Sequence, residues 1–366
     1  MAVSADRARD GWSARSSLEE LGQLAASAGV KVVGSLIQHL PHPSARHYLG
    51  IGKLDELVSL KGEMGYDVVI FDDELTPRQQ RTLEDALKVK VIDRTALILD
   101  IFARNARTRE AELQVELAQH QYLLPRLAGQ WSHLERLGGG IGTRGPGESQ
   151  LETDRRLARR RIHRLQGAIE DVRRQRTLYR RRRQVNGVPV VALVGYTNAG
   201  KSTLCNALCR SDVLVEDRLF STLDPITRRF NLPHGGHALL TDTVGFIQKL
   251  PPTLVAAFRA TLEEMGEADL LLEVVDLNHP HAAQQVHSVQ EVLRELGLDR
   301  KALVLVLNKV DLCAPGEETE EHVEMLSRQG HRVVRVSAAR GLGLDTLLDV
   351  IEEEIMHRAI PEGELC

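Results

Sequence analysis

The sequence has few aromatic residues and no long hydrophobic run. Aromatic residues make up 4% of the 366 residues, and no stretch approaches the roughly 20 uninterrupted apolar residues of a membrane-spanning helix. Residues 1–15 are polar and charged, which argues against a secretory signal peptide. We therefore expect a globular protein of the cytoplasm.

Cysteine is also scarce. One pair lies four residues apart and the others are scattered, so the sequence contains no Cys-x-x-Cys motif and no disulfide framework. We expect all of them to be reduced thiols without a metal-binding role. The four cysteines are Cys205, Cys209, Cys313 and Cys366.

What is present is an ordinary globular composition with an uneven distribution of charge. Hydrophobic residues make up 42% and charged residues 27% of the chain, which is long enough for two or three domains. The net charge of −4 conceals an arginine-dense stretch that ends in Arg180–Arg183 and an acidic segment over Asp349–Glu354. Local charge is therefore more informative than the total.

The pattern of predicted elements divides the chain into four segments: a small α/β domain over residues 1–107, a helical hairpin over 108–186, a second α/β domain over 187–357 and a short tail over 358–366. In the first segment, short β-branched runs alternate with helical patterns, which predicts a small parallel sheet flanked by helices. The predicted strands there are Val30–Gly34, Asp67–Phe71 and Val89–Asp93, and the predicted helices are Ser17–Ala28, Leu54–Met64 and Pro77–Leu87.

Two long helical patterns fill the middle segment, and the glycine-rich stretch Gly138–Gly147 separates them. Pro125 is expected to kink or end the first helix. In the second helix, apolar residues recur at alternating spacings of four and three, which indicates either a coiled-coil-like seam or an ordinary buried helix face. The seam residues are Ala158, Ile162, Leu165, Ile169 and Val172.

Stronger strand patterns resume after Gly187, and helices separate most of them. They predict a doubly wound, mostly parallel sheet with an antiparallel edge strand at Arg228–Leu232. The other predicted strands are Pro189–Val194, His237–Thr241, Leu270–Val275, Ala302–Leu307 and Arg332–Val336.

A phosphate-binding loop follows the first of these strands. Gly195-Tyr-Thr-Asn-Ala-Gly-Lys-Ser202 has the spacing of a P-loop, and the predicted helix Thr203–Cys209 comes directly after it. Glycines allow main-chain N–H groups to converge on a phosphate, and the helix N-terminus adds partial positive charge. Lys201 would reach the β- and γ-phosphates, and the Ser202 hydroxyl would coordinate Mg²⁺. A chance match in an unrelated loop is the alternative that the strand-loop-helix context disfavours.

Two further segments narrow the ligand to a guanine nucleotide. Asp242-Thr-Val-Gly245 follows a strand, so Asp242 can hold a Mg²⁺-bound water and the Gly245 N–H can meet the γ-phosphate, although a capping aspartate alone would be unremarkable. In Asn308-Lys-Val-Asp311, the Asp311 carboxylate can accept hydrogen bonds from N1–H and the 2-amino group of guanine, which adenine cannot provide. A polar turn is the alternative for this segment. Ser337–Ala339 can supply a main-chain N–H to guanine O6.

The polar segment Phe220–Arg229 resembles a switch loop that is ordered by GTP. Thr222 is the favoured hydroxyl for Mg²⁺ and the γ-phosphate, Thr227 is its rival, and a plain surface loop is the alternative. We predict that Lys201, Thr222 and Gly245 act in hydrolysis and that Ser202 and Thr222 bind Mg²⁺. The predicted nucleotide contacts are Gly195, Tyr196, Thr197, Asn198, Ala199, Gly200, Lys201, Ser202, Phe220, Ser221, Thr222, Leu223, Asp224, Asp242, Thr243, Val244, Gly245, Asn308, Lys309, Val310, Asp311, Ser337, Ala338 and Ala339.

Together these motifs resemble those of the HflX family of translation-factor-related GTPases. The resemblance spans roughly residues 18–355 and implies a Ras-like GTPase domain after a small α/β domain and a helical hairpin. The segments that carry it are Gly195–Thr203, Leu223–Arg228, Asp242–Ile247, Leu250–Pro252, Leu113–Ala118, Gly139–Glu148 and Gln150–Arg155.

The family resemblance implies a cytoplasmic GTPase that binds the large ribosomal subunit and acts in translation, in splitting stalled ribosomes under stress or in ribosome biogenesis. It places the 138–148 loop near the peptidyl-transferase centre, and we expect a monomer. The arginines suit contact with rRNA, whereas a solvated helix face with ion pairs such as Glu152–Arg156 is the alternative. They are Arg144, Arg155, Arg156, Arg159, Arg160, Arg161 and Arg164.

One position departs from most GTPases. Many carry a glutamine that orients the attacking water after the glycine of the second motif, whereas this chain has Phe246. We therefore expect slow intrinsic hydrolysis and stimulation by ribosomes. A regulatory switch that acts on a protein partner is the alternative function, and an ATP-driven RNA remodeller is disfavoured by Asp311.

Overall fold

The structure is a computed structural model, and it describes residues 2–6, 13–40, 42–129, 146–185, 187–210, 219–220, 222–249, 251, 265–313 and 331–359. Most of the glycine-rich stretch Gly138–Gly147, with Arg144, lies outside these residues, as do Ser221 and the end of the predicted tail with Cys366. Two compact units divide the chain. The first comprises Met1–Val172 and Pro251–Ala257, and the second comprises Arg173–Leu250 and Phe258–Cys366.

The first unit contains a four-stranded parallel sheet with strand order β2-β1-β3-β4. Its strands are β1 (Ala2–Asp6), β2 (Ser35–His39), β3 (Val68–Phe71) and β4 (Lys90–Asp93). Its helices before the hairpin are α1 (Ala14–Ser27), α2 (Ile51–Met64), α3 (Pro77–Leu87) and α4 (Arg94–Asn105). The predicted parallel sheet with flanking helices is therefore present, with one strand more than the sequence pattern indicated.

The prediction of a strand at Val30–Gly34 is wrong. The end of α1 uses this region instead, because Gly29 adopts a φ of 73° and the Val30 N–H donates to the Ala25 carbonyl oxygen at 2.8 Å. Val32 and Val33 are then exposed and lie outside the sheet. The strand β2 begins only at Ser35, where it pairs with β1. Pairing and burial decide strand formation more strongly than β-branched composition does.

The helical hairpin begins with α5 (Arg109–Leu123), which ends before Pro125, and a 3₁₀ helix follows over Leu124–Gly129. The long helix α6 (Pro146–Val185) has 40 residues. Along α6 the predicted seam is the less exposed face, since Leu165 is buried and the other four seam residues are half-buried. The Arg161 guanidinium donates to both carboxylate oxygens of Glu116 on α5, at 2.7 and 2.8 Å. This bidentate pair connects the two helices.

The second unit contains a six-stranded sheet with order β10-β9-β8-β5-β7-β6, in which only β6 is antiparallel to its neighbour. Its strands are β5 (Val190–Gly195), β6 (Ile226–Asn231), β7 (His237–Asp242), β8 (Leu270–Asp276), β9 (Ala302–Asn308) and β10 (Arg332–Arg335). Its helices are α7 (Lys201–Cys209), α8 (Ala282–Glu295) and α9 (Leu344–Ala359), and a 3₁₀ helix spans Val310–Leu312.

This arrangement confirms the predicted doubly wound fold, including the antiparallel edge strand. The central strands β5 and β8 are almost continuously apolar because both of their faces are buried. The strands that follow β5 lie on one side of it up to β7 and on the other side from β8 onward, and in such folds ligands bind at the carboxyl end of the sheet where the strand order reverses. Within the described residues, no helix is long and apolar enough to cross a membrane.

Candidate nucleotide-binding site

The loop between β5 and α7 has the conformation that close approach to a phosphate requires. Gly195 and Gly200 adopt φ values of 140° and 93°, which favour glycine. A Cβ on Gly195 would lie 2.3 Å from the main-chain oxygen of Val274, and one on Gly200 would lie 2.3 Å from the Asn308 side-chain nitrogen. Between them, Asn198 is also left-handed, with a φ of 62°. Only glycine therefore fits at positions 195 and 200, because β8 and the Asn308 side chain lie against the loop there.

Lys201 begins α7 and points back into the loop. Its Nζ donates to the main-chain oxygens of Gly195 and Tyr196 at 3.1 and 2.7 Å, and the side chain is buried. Burial lowers the pKa of Lys201 to about 8, while the carboxylate of Asp242 opposes this shift. An anionic phosphate would favour the charged lysine, so the loop is suited to an anion.

Three oxygen atoms meet at the start of α7. The Ser202 hydroxyl lies 2.6 Å from Oδ2 of Asp242 and 2.8 Å from Oγ1 of Thr222. Burial raises the pKa of Asp242, and hydrogen bonding to Ser202 and the charge of Lys201 oppose the rise. Its second oxygen, Oδ1, is buried and has no hydrogen-bond partner among the described residues. Hard oxygen donors beside a buried carboxylate fit Mg²⁺.

The structure separates the two rival hydroxyls of the switch loop. Thr222 lies beside Ser202, whereas Thr227 belongs to β6 and its Oγ1 lies 3.0 Å from Oγ1 of Thr241 on β7. Thr222 is thus positioned at the phosphate end of the site and Thr227 is not. Two residues before Thr222, the N–H of Phe220 donates to the Thr197 hydroxyl at 3.1 Å, so the phosphate loop holds this end of the switch segment.

The segment after β7 lies directly against the phosphate loop. A Cβ on Gly245 would lie 2.6 Å from the Thr197 Cα and 2.9 Å from Nζ of Lys201. The next residue, Phe246, is buried; its N–H donates to the Gly195 oxygen at 3.1 Å and its oxygen accepts from Thr197 at 2.7 Å. The close approach of Gly245 leaves no room for a Cβ between Thr197 and Lys201, while the apolar side chain of Phe246 cannot orient a water.

Asn308 connects the phosphate loop with the last motif. Its side-chain nitrogen donates to the Ala199 oxygen at 2.9 Å, and its side-chain oxygen accepts from the Ala338 N–H at 3.0 Å. Ser337 is fully buried beside it. The predicted segments Asn308–Asp311 and Ser337–Ala339 therefore lie together at the end of the loop that carries Asn198 and Ala199.

The predicted base-recognition residues are held in place by their neighbours. Nζ of Lys309 donates to the Asn198 oxygen at 3.0 Å and to Oδ2 of Asp276 at 2.6 Å. Asp311 follows, with its side chain 18% exposed and Oδ2 lying 3.9 Å from Nε of Arg340. A carboxylate that remains accessible can accept the two guanine hydrogen bonds expected of it.

Sequence reasoning missed two contributors to the site. Asp276, at the carboxyl end of β8, orients Lys309, and a polar residue at a strand end in this fold was the available signal. The second is Gln248, whose N–H donates to the Tyr196 hydroxyl at 2.8 Å and fastens the segment after Phe246 to the phosphate loop. No local pattern could have indicated this second contact, since it joins residues that are distant in sequence.

Three family models match successive parts of the chain. The model described as "GTP-binding GTPase N-terminal" matches residues 15–103, and "GTP-binding GTPase Middle Region" matches residues 105–183. The model described as "50S ribosome-binding GTPase" matches residues 190–309. The last match contains the phosphate loop, the switch segment and the residues around Asp242.

Curated relatives are similar over almost the whole chain. A protein of Caldanaerobacter subterraneus named GTPase HflX is 50% identical over 338 residues, which is 92% of this chain and 77% of that protein. The GTPase HflX of Escherichia coli is 44% identical over 338 residues, covering 92% of this chain and 79% of the relative.

Solved structures show the same architecture. The crystal structure of SsGBP with GDP has a TM-score of 0.54 and 27% identity, and the match covers 98% of this chain and 99% of that one. A GTP-binding protein from Sulfolobus solfataricus in complex with GDP has a TM-score of 0.51 and 25% identity, with 98% of each chain covered. These proteins bind the nucleotide that the geometry of the phosphate loop and Asp311 indicates for this chain.

Proposed function

This chain belongs to the HflX family of GTPases, and from that premise we propose that it uses GTP to control its own attachment to the large ribosomal subunit. Binding and hydrolysis of GTP follow from the family itself. We propose in addition that the attached chain acts in translation, in ribosome splitting or in ribosome biogenesis. We also propose that it resides in the cytoplasm.

The arginine face of α6 is the observation that carries this proposal. Arg156, Arg160 and Arg164 recur every four residues, all are exposed, and none forms an ion pair or hydrogen bond with a described residue. In particular, the Glu152–Arg156 pair expected of a merely solvated face is absent from the described part of α6, whereas Arg161 is used for packing against Glu116. Unpaired arginines along one helix suit the regularly spaced phosphates of folded RNA.

The description of the family model over residues 190–309 names the same partner, the 50S subunit. The proposed orientation places the glycine-rich loop at residues 138–148, most of which lies outside the described part of the chain, near the peptidyl-transferase centre, with the arginine face along the neighbouring rRNA. The chain would act there as a monomer. A regulatory switch that acts on a protein partner would not require the arginine face of α6.

Within the nucleotide site, each residue has a proposed role. Lys201 would neutralise the β- and γ-phosphates, and the Gly245 N–H would detect the γ-phosphate. Ser202 and Thr222 would bind Mg²⁺, with Asp242 holding one of its waters; the ion would shield the phosphate charge that develops during hydrolysis. When the γ-phosphate leaves, Thr222 and Gly245 would lose a common ligand, and the switch segment would be released.

Sedimentation tests the attachment. The full chain with a non-hydrolysable GTP analogue is centrifuged through sucrose with purified large subunits, at a series of salt concentrations, with GDP as the comparison. We expect co-migration that weakens steeply with salt, because each arginine–phosphate contact adds roughly 0.7–0.9 to the slope of log affinity against log salt.

Two double variants distinguish binding through the arginine face from a general effect of the protein's net charge. Arg160→Glu with Arg164→Glu should weaken binding at least about tenfold and lower the salt slope by about 1.4–1.8. Arg294→Glu with Arg300→Glu changes the net charge equally at exposed positions in and just after α8, and should leave binding unchanged. Wild-type protein that stays at the top of the gradient, or a protein partner captured equally by both double variants, would favour the regulatory alternative.

A further inference from the structure

One face of α7 carries two polar side chains, Ser202 and Asn206, which are one helical turn apart. Residues four apart on a helix lie on the same face, so both side chains point to the same side of α7. Ser202 bonds to Asp242 at the end of β7. Asn206 is half-buried, and its Oδ1 accepts a hydrogen bond from Nη1 of Arg228 on β6 at 2.8 Å. The helix is therefore bonded to β7 by the first residue and to β6 by the second.

The two bonds lie at successive levels of the sheet. In the β6–β7 ladder, Ile226 pairs with Asp242, and Arg228 pairs with Leu240. Two residues along a strand span about 6.8 Å and one turn of a helix spans about 5.4 Å, so these spacings nearly match. The bond of Arg228 therefore lies directly behind the site at the start of α7, on the side away from the nucleotide.

Apolar packing shows which side of β6 carries the arginine. Alternate residues of a strand point to the same face, so Arg228 shares a face with Phe230. Phe230 is buried in a core that also contains Leu204 and Leu208 of α7. Arg228 is half-buried on this same face, where the core gives way to the polar start of the helix.

The strand β6 is the element into which the switch segment runs. Thr222, which lies beside Ser202, precedes the first residue of β6 by four positions. β6 is an edge strand and, among the described strands, pairs only with β7. Its bond to α7 is a second attachment, and a hydrogen bond from a charged donor is stronger than one between neutral groups.

We propose that Arg228 is a positioning residue for the Mg²⁺ and γ-phosphate site. Its bond to Asn206 holds the start of β6 against α7, and this keeps Thr222 within reach of Ser202 and of the ion that the two hydroxyls would share. The inference rests on the roles proposed above for Ser202 and Thr222. Since Thr222 would be released once the γ-phosphate leaves, the arginine should favour binding of GTP and contribute little to binding of GDP.

Arg229 provides a matched control on the same strand. It is the same residue type one position further along β6, so its side chain points to the opposite face. It is exposed and forms no hydrogen bond or ion pair with any described residue. Arg229→Ala therefore removes the same charge from the same strand without loosening the attachment to α7.

The test measures the affinity of the full chain for a non-hydrolysable GTP analogue and for GDP, with Mg²⁺ and with excess EDTA. In Mg²⁺, Arg228→Ala should weaken binding of the analogue at least about fivefold and that of GDP less than about twofold. Asn206→Leu removes the acceptor at similar size and should have the same effect. In EDTA the loss should shrink, because Thr222 then has no ion to bind. Arg229→Ala should behave as the wild type in every condition.

A double-mutant cycle shows whether Arg228 acts through Thr222. Thr222→Ala alone should weaken binding of the analogue in Mg²⁺, and adding Arg228→Ala should then cause less than about a twofold further loss. Independent contributions would multiply instead. Thermal unfolding without nucleotide is measured for each variant, since a purely structural role would lower the midpoint and weaken binding of GDP and the analogue to the same degree.

Three results would overturn the inference and leave the roles of Ser202 and Thr222 intact: equal losses for GDP and the analogue, multiplying effects in the cycle, or Arg228→Ala that matches Arg229→Ala. Asn206→Leu decides the question if Arg228→Ala does not fold. If Thr222→Ala leaves the Mg²⁺-dependent affinity unchanged, the proposed role of Thr222 is wrong, and the role of Arg228 is wrong with it.

Discussion

At the scale of single residues, we expect base selection to depend on Asp311, which ends the segment that begins at Asn308. Asp311→Asn replaces a carboxylate that could accept two guanine hydrogen bonds with an amide that can donate one. GDP affinity should fall at least about a hundredfold, and xanthosine diphosphate should become the better ligand. Competition against a labelled nucleotide measures both changes, with ATP as a third competitor. If ATP displaces labelled GDP from the wild-type protein as effectively as unlabelled GDP does, Asp311 does not read the base.

The phosphate loop permits a matched pair of glycine substitutions. Gly200→Ala would place a Cβ 2.3 Å from the Asn308 side chain at a φ of 93°, so we expect nucleotide affinity to fall at least about tenfold. Gly187→Ala imposes similar backbone strain at a φ of 62°, but no atom lies within 4 Å of its added Cβ.

Gly187→Ala should therefore cost about 1–2 kcal/mol of stability and leave nucleotide affinity unchanged. Titration calorimetry with GDP and thermal unfolding separate the two effects. If both variants lose affinity equally, strain rather than the contact with Asn308 explains the loss.

The residues of the site differed in how well the sequence could predict them. Gly195–Ser202 and Asn308–Asp311 are continuous motifs whose residue types follow from phosphate and base chemistry, so their positions could be inferred directly. Asp276 became apparent only when β8 and β9 were adjacent, because its partner Lys309 is 33 residues away. The sequence favoured Thr222 with Thr227 as its rival, and the pairing of β6 with β7 places Thr227 beside Thr241 instead.

At the scale of elements, β8 carries an unusual residue in its buried centre. Glu273 is fully buried, and burial raises the pKa of its carboxyl group to about 8, a shift that the Gln290 side chain on α8 only partly offsets. Between about pH 4.5 and 8 the folded chain therefore holds a proton that the unfolded chain has released. Stability should decrease as pH rises through this window, by at most about 1.4 kcal/mol per pH unit from this group.

Glu273→Gln tests this expectation, because glutamine keeps the shape of a protonated glutamate and cannot ionise. The free energy of unfolding, measured by urea denaturation from pH 5 to 8, should fall with pH more steeply in the wild type than in the variant. The variant should therefore gain its greatest advantage near pH 8. Parallel curves for the two proteins would mean that Glu273 is not held protonated by the fold.

Helices and strands were predicted most accurately where the residues that determine them lie close together in the sequence. The helix α3 was predicted with its observed bounds, because Thr76 and Gln79 form a capping box around Pro77 within a few residues. The strands β1 and β2 were not, since they depend on pairing with each other rather than on composition. The doubly wound sheet was predictable because strands buried on both faces are apolar throughout.

At the scale of the whole molecule, the chain combines an arginine-rich helix with a net charge of −4. The surplus of acidic residues elsewhere should oppose non-specific attraction to RNA, so that binding depends on the arginine face of α6. An exposed row of arginines and a GTPase centre without a water-orienting glutamine then have complementary consequences. The first suits attachment to RNA, and the second leads us to expect that hydrolysis needs a group from a partner.

The rate of GTP hydrolysis should therefore depend on large ribosomal subunits. Phe246 is buried and its main chain is bonded to Gly195 and Thr197, so its apolar side chain leaves the attacking water without a partner at that position. Purified protein alone should hydrolyse GTP slowly, and saturating large subunits should raise kcat at least about tenfold, since supplying missing catalytic groups to GTPases gives 10³–10⁵-fold effects. Arg160→Glu with Arg164→Glu should raise the subunit concentration required for half-maximal stimulation while preserving the maximum, because these arginines contribute to attachment and not to chemistry. If kcat without subunits equals kcat with them, the site contains a water-orienting group of its own and Phe246 does not limit hydrolysis.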